Sequence, residues 1–254
     1  MSRPHVLLLA GTSEARQLAG MLAGWPLDLT VSLAGATQAP APVPGRLRTG
    51  GFGGAAGLAD WLEAQSVDLL VDATHPFAEA ISANAAAAAA QVGCPLLRFE
   101  RSPWRPAPGE RWQTHASLEA ALLALPAGAR ALLTTGSRRL AALAERPDVT
   151  LILRAIEMPA DLPPRVEPIL ARPPFTEAGE RALMTQHRIT HLVTRNSGGA
   201  GRAKLTAAAA LGVEVLMIAR PVSPPEGETL DNVAALSARI AERLALDTAS
   251  GGAP

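Results

Sequence analysis

The stretch Leu69-Leu70-Val71-Asp72-Ala73-Thr74-His75-Pro76-Phe77-Ala78 decides the fold of this chain. Its apolar start, with the β-branched Val71, predicts the end of a buried parallel strand. Pro76 has no backbone N–H to donate and disfavours a helical conformation at His75, so the strand cannot continue. Residues 78–91 are mostly alanine, the best helix former, and predict a helix. Strand, short polar loop and helix in this order form the repeating unit of an α/β protein.

The same alternation of apolar runs and helical segments continues along the chain. Its spacing predicts parallel sheets covered by helices. The other predicted strands are Val6–Ala10, Leu29–Leu33, Pro95–Phe99, Ala131–Thr135, Thr150–Arg154, His191–Arg195 and Val213–Ile218. Residues 102–109 contain three prolines and one glycine and predict a domain boundary. We therefore expect an α/β fold of two doubly wound, Rossmann-like domains, residues 1–104 for nucleotide binding and residues 105–254, with parallel sheets and a ligand cleft between them.

The overall composition excludes several classes of protein. The chain has 254 residues, of which 48% are hydrophobic, and its 23 basic residues balance 23 acidic ones. A neutral chain lacks the charge that attracts nucleic acids and membrane surfaces, so we expect neither as a partner. The sequence has no apolar run of membrane-spanning length, and its start leads straight into a strand without a signal peptide. We therefore expect a cytoplasmic protein that acts as a monomer on a small-molecule substrate.

Rare and missing residue types narrow the chemistry further. The chain contains no tyrosine, which excludes a reductase of the short-chain type with its tyrosine acid. Cys94 is the only cysteine, so the chain has neither an internal disulfide nor a cysteine metal cluster. The five histidines are scattered without the spacing of metal ligands, and we expect no metal site.

The turn Gly11-Thr12-Ser13-Glu14 follows the first predicted strand and opens a helix. A glycine allows the sharp turn, a hydroxyl can cap the helix, and the free N–H groups of the helix N-terminus suit an anion. The dinucleotide fingerprint G-x-G-x-x-G is not met, because Ser13 and Arg16 stand where the later glycines belong. The turn therefore leaves two interpretations open, a nucleotide or phosphate site and a plain strand–helix connection.

Other polar loops with glycines also follow predicted strands. Four glycines surround Phe52, which can pack on a flat ligand or anchor the core. Gly136-Ser137 opens a helix, and Asn196-Ser197-Gly198-Gly199 precedes Lys204, the only lysine. Asp72, Thr74 and His75 lie at the carboxyl end of a predicted strand, where open α/β sheets bind ligands. The alternative is that Asp72 and Thr74 cap the next helix and that His75 is a surface residue.

These loops together resemble, in order and over nearly the whole chain, the precorrin-6A reductase family of cobalamin biosynthesis. The segments that carry the resemblance are Leu9–Ala15, Ser32–Gly35, Gly50–Gly54, Asp72–Ala78 and Asn196–Gly199 with Lys204. Asp-Ala-Thr-His-Pro-Phe-Ala is the most specific of them. The resemblance implies NADPH-dependent reduction of one double bond of the precorrin-6A macrocycle, which gives precorrin-6B. Members that act on the cobalt-containing intermediate look alike, and some use NADH.

The resemblance also implies a set of site residues. The proton donor is expected to be His75, Lys204 or water. The residues expected to bind NADPH are Gly11, Thr12, Ser13, Glu14, Ser32, Gly35, Thr37, Arg46, Thr74, His75, Pro76, Gly136, Ser137, Asn196, Ser197, Gly198 and Gly199. Arginines in loops are suited to hold the carboxylates of a precorrin by bidentate pairs: Arg98, Arg101, Arg105, Arg138, Arg139, Arg195 and Arg202.

The region after the second predicted strand favours NADPH over NADH. An NAD-selective site has an acidic residue about 20 residues beyond the first glycine, where it binds the ribose 2′-OH. No acidic residue occurs from position 29 to position 49. Many family members carry an arginine after Ala34-Gly35, whereas this chain has Ala36 there, so Arg46 or Arg48 is the expected substitute. Two rival functions stay open: a nucleotide or sugar-phosphate sensor without catalysis, and a methyltransferase of the same pathway.

Overall fold

The computed structural model describes residues 3–34, 42–136 and 145–246. Within these ranges the first part of the chain contains β1 (His5–Leu9), α1 (Ser13–Leu22), β2 (Asp28–Leu33), β3 (Arg46–Thr49), α2 (Gly54–Ala64), β4 (Leu69–Asp72), α3 (Glu79–Val92) and β5 (Leu96–Phe99). The middle contains β6 (Trp112–His115), α4 (Leu118–Leu123), β7 (Arg130–Leu133), β8 (Thr150–Ala155), β9 (Val166–Leu170), α5 (Glu177–Gln186), β10 (His191–Arg195), α6 (Ala203–Leu211) and β11 (Glu214–Ile218). The last elements are β12 (Glu228–Leu230) and α7 (Val233–Arg243). Among the described helices, none is long and apolar enough to cross a membrane.

The chain folds into two compact units. Unit 1 comprises the chain up to Ser102 together with the chain from Pro221 onward, and unit 2 comprises Pro103–Arg220. Each unit is built on one six-stranded sheet, and every strand pair in both sheets is parallel. The predicted α/β fold class with two doubly wound sheets is confirmed.

The sheet of unit 1 has the strand order β12-β5-β4-β1-β2-β3. This is the order 3-2-1-4-5-6 of dinucleotide-binding sheets, with β12 as the sixth strand. Side chains alternate across the sheet, so Val6 and Leu8 pack beneath α1 and α7, while Leu7 and Leu9 pack beneath α2 and α3. The order in which strands are added to the sheet reverses between β1 and β4, and at this reversal point Leu9 is the register partner of Asp72.

The sheet of unit 2 has the strand order β6-β11-β10-β7-β8-β9. The order matches that of unit 1, except that the strand in the sixth position, β6, comes from the start of the unit. Its reversal lies between β7 and β10, where Leu133 pairs with Val193. Helices α5 and α6 pack together on one core, which contains Leu132, Met184 and Leu205.

The unit boundaries differ from the two continuous domains predicted from the sequence. The first crossing, after Ser102, lies close to the predicted boundary at residue 104. The chain from Pro221 onward, however, belongs to unit 1 rather than to a domain of residues 105–254. The cause is pairing and burial: β12 adds to the edge of β5, and α7 buries Leu236 and Ile240 in the core of unit 1.

Candidate active site

The first candidate feature is the turn after β1 in unit 1. Thr12 caps α1, since its Oγ1 accepts a hydrogen bond from the backbone N–H of Ala15 at 3.0 Å. The same hydroxyl donates to the carbonyl of Ala73 at 2.8 Å and so ties the β1 turn to the β4 loop. Gly11 has a φ of 134°, and a Cβ there would meet no described atom within 4 Å. The turn therefore presents the N-terminus of α1 to open space at the reversal point of the sheet.

Glu14 lies in the first turn of α1, where its negative charge would repel an anionic ligand. Its Oε1 accepts a hydrogen bond from Arg101 Nη1 at 2.7 Å, and its Oε2 accepts one from Ser13 Oγ at 2.8 Å. Burial by itself raises the pKa of Glu14, but the hydrogen bonds from Arg101, from the backbone and from Ser13 outweigh it and lower the pKa below its usual value. The carboxylate is thus ionised and neutralised by Arg101, so the turn carries a balanced charge.

The loop after β4 closes on itself. Asp72 is 3% exposed, and its Oδ1 accepts hydrogen bonds from the N–H of Thr74 at 3.1 Å and from its Oγ1 at 2.6 Å. Helix α3 begins later, after Ala78, and no side chain caps it. The alternative that Asp72 and Thr74 cap this helix is therefore wrong, because both side chains close the turn that precedes it.

A buried cation lies behind this loop. Arg98 on β5 is the register partner of Asp72, is 6% exposed, and places its Nε 3.8 Å from Asp72 Oδ2. Its Nη1 donates to the carbonyl of Pro224 at 2.6 Å. Among the described residues, its Nε has no hydrogen-bond partner. Arg98 therefore compensates the buried carboxylate and joins the returning chain to the β4 loop within unit 1.

His75 borders a cavity of about 180 Å³ in unit 1, which Glu79, Arg98 and Val222 also line. Its Nδ1 accepts a hydrogen bond from the N–H of Phe77 at 3.2 Å. A ring whose Nδ1 is an acceptor carries its proton on Nε2 when it is neutral. The loop therefore fixes the tautomer in which Nε2 is the nitrogen that can donate.

Arg48, rather than Arg46, lies at the carboxyl end of β2. Arg48 is the register partner of Ser32, and its Nη1 lies 3.4 Å from Ser32 Oγ. Arg46 pairs with Thr30, two residues earlier along β2, and is exposed. Of the other residues predicted near this strand end, Gly35 and Thr37 lie outside the described residues. The sequence named both arginines, and only the strand register distinguishes them.

Phe52 packs against the core of unit 1 and also contacts the guanidinium of Arg48. Its ring forms a T-shaped contact with the ring of Trp61 at a centroid distance of 5.7 Å, and it packs against the buried cluster under α2 and α3. The guanidinium carbon of Arg48 lies 3.5 Å from the centre of the same ring. The interpretation of Phe52 as a core anchor is therefore correct, and a face of its ring also contacts Arg48.

The reversal point of unit 2 is lined by glycines and an arginine. Gly136 has a φ of 78°, and a Cβ there would stand 2.9 Å from Arg195 Nη2. Arg195 donates to the carbonyl of Thr135, so the β10 side chain reaches across to the end of β7. Gly198 and Gly199 also have positive φ values, 67° and 74°. Ser137 lies outside the described residues.

Asn196 fixes the start of unit 2. Its Oδ1 accepts from the N–H of Trp104 at 2.8 Å, and its Nδ2 donates to the Trp104 carbonyl at 3.0 Å. The indole N–H of Trp104 donates to the carbonyl of Gly199 at 2.7 Å. Lys204 lies over the same indole, with its Nζ 4.6 Å from the ring centre. The amide of Asn196 is thus engaged in structure, a role that the sequence did not predict.

The predicted arginines are mostly engaged within their own units. Arg202 donates to both carboxylate oxygens of Glu110, at 2.8 and 2.6 Å. Arg220, which the sequence did not single out, donates to the carbonyls of Asn196 at 2.7 Å and Ser197 at 3.0 Å. Arg105 is exposed, and Arg138 and Arg139 lie outside the described residues. A substrate carboxylate that binds these arginines must therefore share them with internal partners.

The structure distributes the predicted site residues over the two units. Unit 1 contains Gly11, Thr12, Ser13, Glu14, Ser32, Arg46, Thr74, His75 and Pro76, and unit 2 contains Gly136, Asn196, Ser197, Gly198, Gly199 and Lys204. Nearly all of them lie at the carboxyl ends of strands beside a reversal point. The exceptions are Ser32, in β2, Arg46, at the start of β3, and Lys204, in the first turn of α6.

Comparison with known proteins gives consistent matches across the chain. Residues 5–241 match a family model described as precorrin-6x reductase CbiJ/CobK. A precorrin-6A reductase of Rhodococcus erythropolis is 49% identical over 234 residues, covering 91% of this chain and 94% of the relative. A cobalt-precorrin-6A reductase of Priestia megaterium is 33% identical over 231 residues, covering 85% of this chain and 90% of the relative.

A solved structure also matches this chain over most of its length. It is described as CobK precorrin-6A reductase and superposes with a TM-score of 0.89 at 42% sequence identity. The match covers 94% of this chain and 97% of the other. The strand order and the return of the chain to unit 1 are therefore accompanied by similarity in sequence over almost the entire length.

Proposed function

The chain belongs to the precorrin-6x reductase family, and we propose that it reduces one double bond of the precorrin-6A macrocycle, with NADPH as the hydride donor, to give precorrin-6B. It is an oxidoreductase of cobalamin biosynthesis. The observation that carries the proposal is the 49% identity to a precorrin-6A reductase over 91% of this chain. The expected cytoplasmic location and monomeric state belong to the same proposal.

The residues of unit 1 fit a dinucleotide. Gly11 leaves open space beside the N-terminus of α1, whose free N–H groups and positive dipole end attract a pyrophosphate. Arg101 neutralises Glu14 and removes the repulsion that this carboxylate would otherwise exert on a phosphate. Between positions 29 and 49 no carboxylate competes for the ribose. When bound, NADPH supplies the hydride, and the protein supplies binding and orientation.

His75 is our candidate for the proton donor. Its loop is held by Asp72 and by the N–H of Phe77, so the ring has one orientation and one neutral tautomer. In its protonated form a histidine can pass a proton to the atom of the double bond that does not receive the hydride. Lys204 is the second candidate; its position over Trp104 suits it equally to contact a carboxylate of the macrocycle.

The metal-free macrocycle is the proposed substrate. The chain shares 49% identity with a precorrin-6A reductase and 33% with a cobalt-precorrin-6A reductase. Precorrins carry acetate and propionate side chains, and unit 2 offers cationic groups in Arg202, Arg220 and Lys204. These groups support a substrate with several carboxylates, provided that binding rearranges the internal pairs of the arginines.

The decisive experiment follows the absorbance of the reduced nicotinamide when the protein is mixed with NADPH and enzymatically generated precorrin-6A. We expect bleaching that requires both components, with NADPH faster than NADH and the metal-free ring faster than the cobalt-containing one. Binding of NADPH without bleaching would favour the sensor. Incorporation of a methyl group from S-adenosylmethionine, again without bleaching, would favour the methyltransferase.

A further inference from the structure

The guanidinium of Arg48 is held in a cradle of neutral groups at the edge of unit 1. Its Nη1 donates to the carbonyl of Gly50 at 2.6 Å, and its Nη2 donates to the carbonyl of Gly51 at 2.8 Å. The ring of Phe52 lies flat beneath the guanidinium carbon at 3.5 Å. These contacts orient the cation, but none of them cancels its charge. Among the described residues, no carboxylate forms an ion pair with it.

The cradle places this charge at the carboxyl end of β2. The register of β2 and β3 sets Arg48 beside Ser32, whose side-chain oxygen is 3.4 Å from Nη1. In a sheet of this strand order, the end of the second strand lies beside the ribose of a bound dinucleotide. Burial lowers the pKa of Arg48 from its usual value, which agrees with a guanidinium partly withdrawn from water.

The backbone around the cradle leaves room for a ligand. A Cβ placed on Gly50, Gly51, Gly53 or Gly54 would meet no described atom within 4 Å. Phe52 covers one face of the guanidinium, and the hydrogen bonds to described residues use Nη1 and Nη2 but not Nε. A guanidinium that is already oriented loses little entropy when it binds a phosphate.

We propose that Arg48, held by Phe52 and by the carbonyls of Gly50 and Gly51, binds the 2′-phosphate of the nicotinamide cofactor and thereby sets the preference for NADPH over NADH. The inference rests on the proposed function only in taking a dinucleotide as the ligand of unit 1. A phosphate monoester carries nearly two negative charges at neutral pH and accepts charge-assisted hydrogen bonds from a guanidinium. The 2′-hydroxyl of NADH carries no such charge. Arg48 should therefore account for most of the difference in affinity between NADPH and NADH.

The test measures binding rather than turnover. Isothermal titration of the full chain compares 2′,5′-ADP with 5′-AMP, two ligands that differ only in the 2′-phosphate. The wild type is expected to prefer 2′,5′-ADP by about tenfold or more. Arg48→Ala should remove most of this preference and leave the affinity for 5′-AMP unchanged. Arg243→Ala is the matched control, since it removes an exposed positive charge from α7 of the same unit and should change neither affinity.

A second variant guards against a folding defect. Arg48→Met keeps a long apolar stem over Phe52 and removes the charge, so it should retain the thermal midpoint of the wild type and still lose the preference. Equal binding of the two ligands by the wild type, an equal loss for both in Arg48→Met, or a larger loss of preference in Arg243→Ala would overturn the proposal. Failure of the reductase reaction alongside the expected binding results would overturn the proposed function and leave the role of Arg48 standing.

Discussion

The two units have the same strand order but carry different groups at their reversal points. In unit 1, Thr12 joins the β1 turn to the β4 loop, and Asp72 closes the loop that holds His75. In unit 2, Arg195 reaches the end of β7 past Gly136, and glycines form the loop after β10. Strand order decides which loops meet, and the residues in those loops decide what they bind.

The difference assigns different tasks to the two points. The hydroxyl, carboxylate and imidazole groups of unit 1 suit phosphate positioning and proton transfer. The cations of unit 2, Lys204 among them, suit an anionic ligand. We therefore expect the loss of His75 at the first point to change turnover, and substitutions in unit 2 to change stability or affinity.

The largest expected effect is that of His75→Ala. Loss of a general acid typically reduces turnover by about 10²–10⁴-fold, whereas the thermal midpoint should stay close to that of the wild type because His75 lies in a loop. Steady-state kinetics and thermal denaturation measure the two quantities. His187→Ala removes a histidine from unit 2 and should retain full turnover. If His75→Ala kept full turnover, or had a much lower thermal midpoint, His75 would not be the proton donor.

The next effect is structural and belongs to unit 2. Asn196→Ala removes both hydrogen bonds that fix the backbone of Trp104, so we expect a loss of about 1–3 kcal/mol in the free energy of unfolding. Denaturant titration measures this loss. Asn196→Asp keeps the acceptor for the Trp104 N–H and should lose less than Asn196→Ala. If the alanine variant were as stable as the wild type but bound NADPH more weakly, the amide would be a ligand contact, as the sequence suggested.

Lys204 tests whether unit 2 binds an anionic ligand. Lys204→Ala should raise the Michaelis constant for precorrin-6A by about tenfold, the value of one modest charged contact, without a comparable change in kcat. Lys204→Arg keeps the charge and changes its geometry, so it should fall between the wild type and the alanine variant. Unchanged constants for both substrate and cofactor in both variants would mean that Lys204 only covers Trp104.

The sequence predicts the central strands and misses the edge strands. β1, β4, β7 and β10 are apolar runs because helices cover both of their faces, and such runs are visible without a structure. The four unpredicted strands, β3, β6, β9 and β12, all lie at sheet edges. Their half-exposed residues form no apolar run, as Arg46–Thr49 illustrates, and their identity as strands depends on a neighbour distant in sequence.

The candidate site likewise contains residues that local sequence identifies and residues that only long-range contacts identify. Turns such as Gly11–Glu14 and the His75 loop can be identified from local residue types, since glycine, proline and capping hydroxyls act on adjacent positions. The bonds of Asn196 to Trp104, and the register that distinguishes Arg48 from Arg46, join residues far apart in the chain. No local pattern encodes such contacts, so the structure alone supplies them.

The smallest expected effect concerns the balanced charge at the first reversal point. The pKa of Glu14 lies below its usual value in the folded protein, despite a burial effect that raises it, because Arg101 and Ser13 donate to the carboxylate. A lowered pKa means that folding favours the ionised form, so its contribution is complete above the unfolded pKa of about 4.3 and is lost as the pH falls through the folded pKa.

Glu14→Gln should therefore reduce the free energy of unfolding by a few tenths to about 1 kcal/mol at pH 7, the range for a partly exposed ion pair at a helix N-terminus. The difference from the wild type should shrink as the pH falls through the folded pKa and should also shrink in 1 M salt, where the charges are screened. Denaturant titrations over this range of pH and salt measure it. A difference that is independent of both would mean that Glu14 acts through packing, and the charge balance proposed for unit 1 would then not exist. A difference that grows at low pH would require a raised pKa and would contradict the pairing with Arg101.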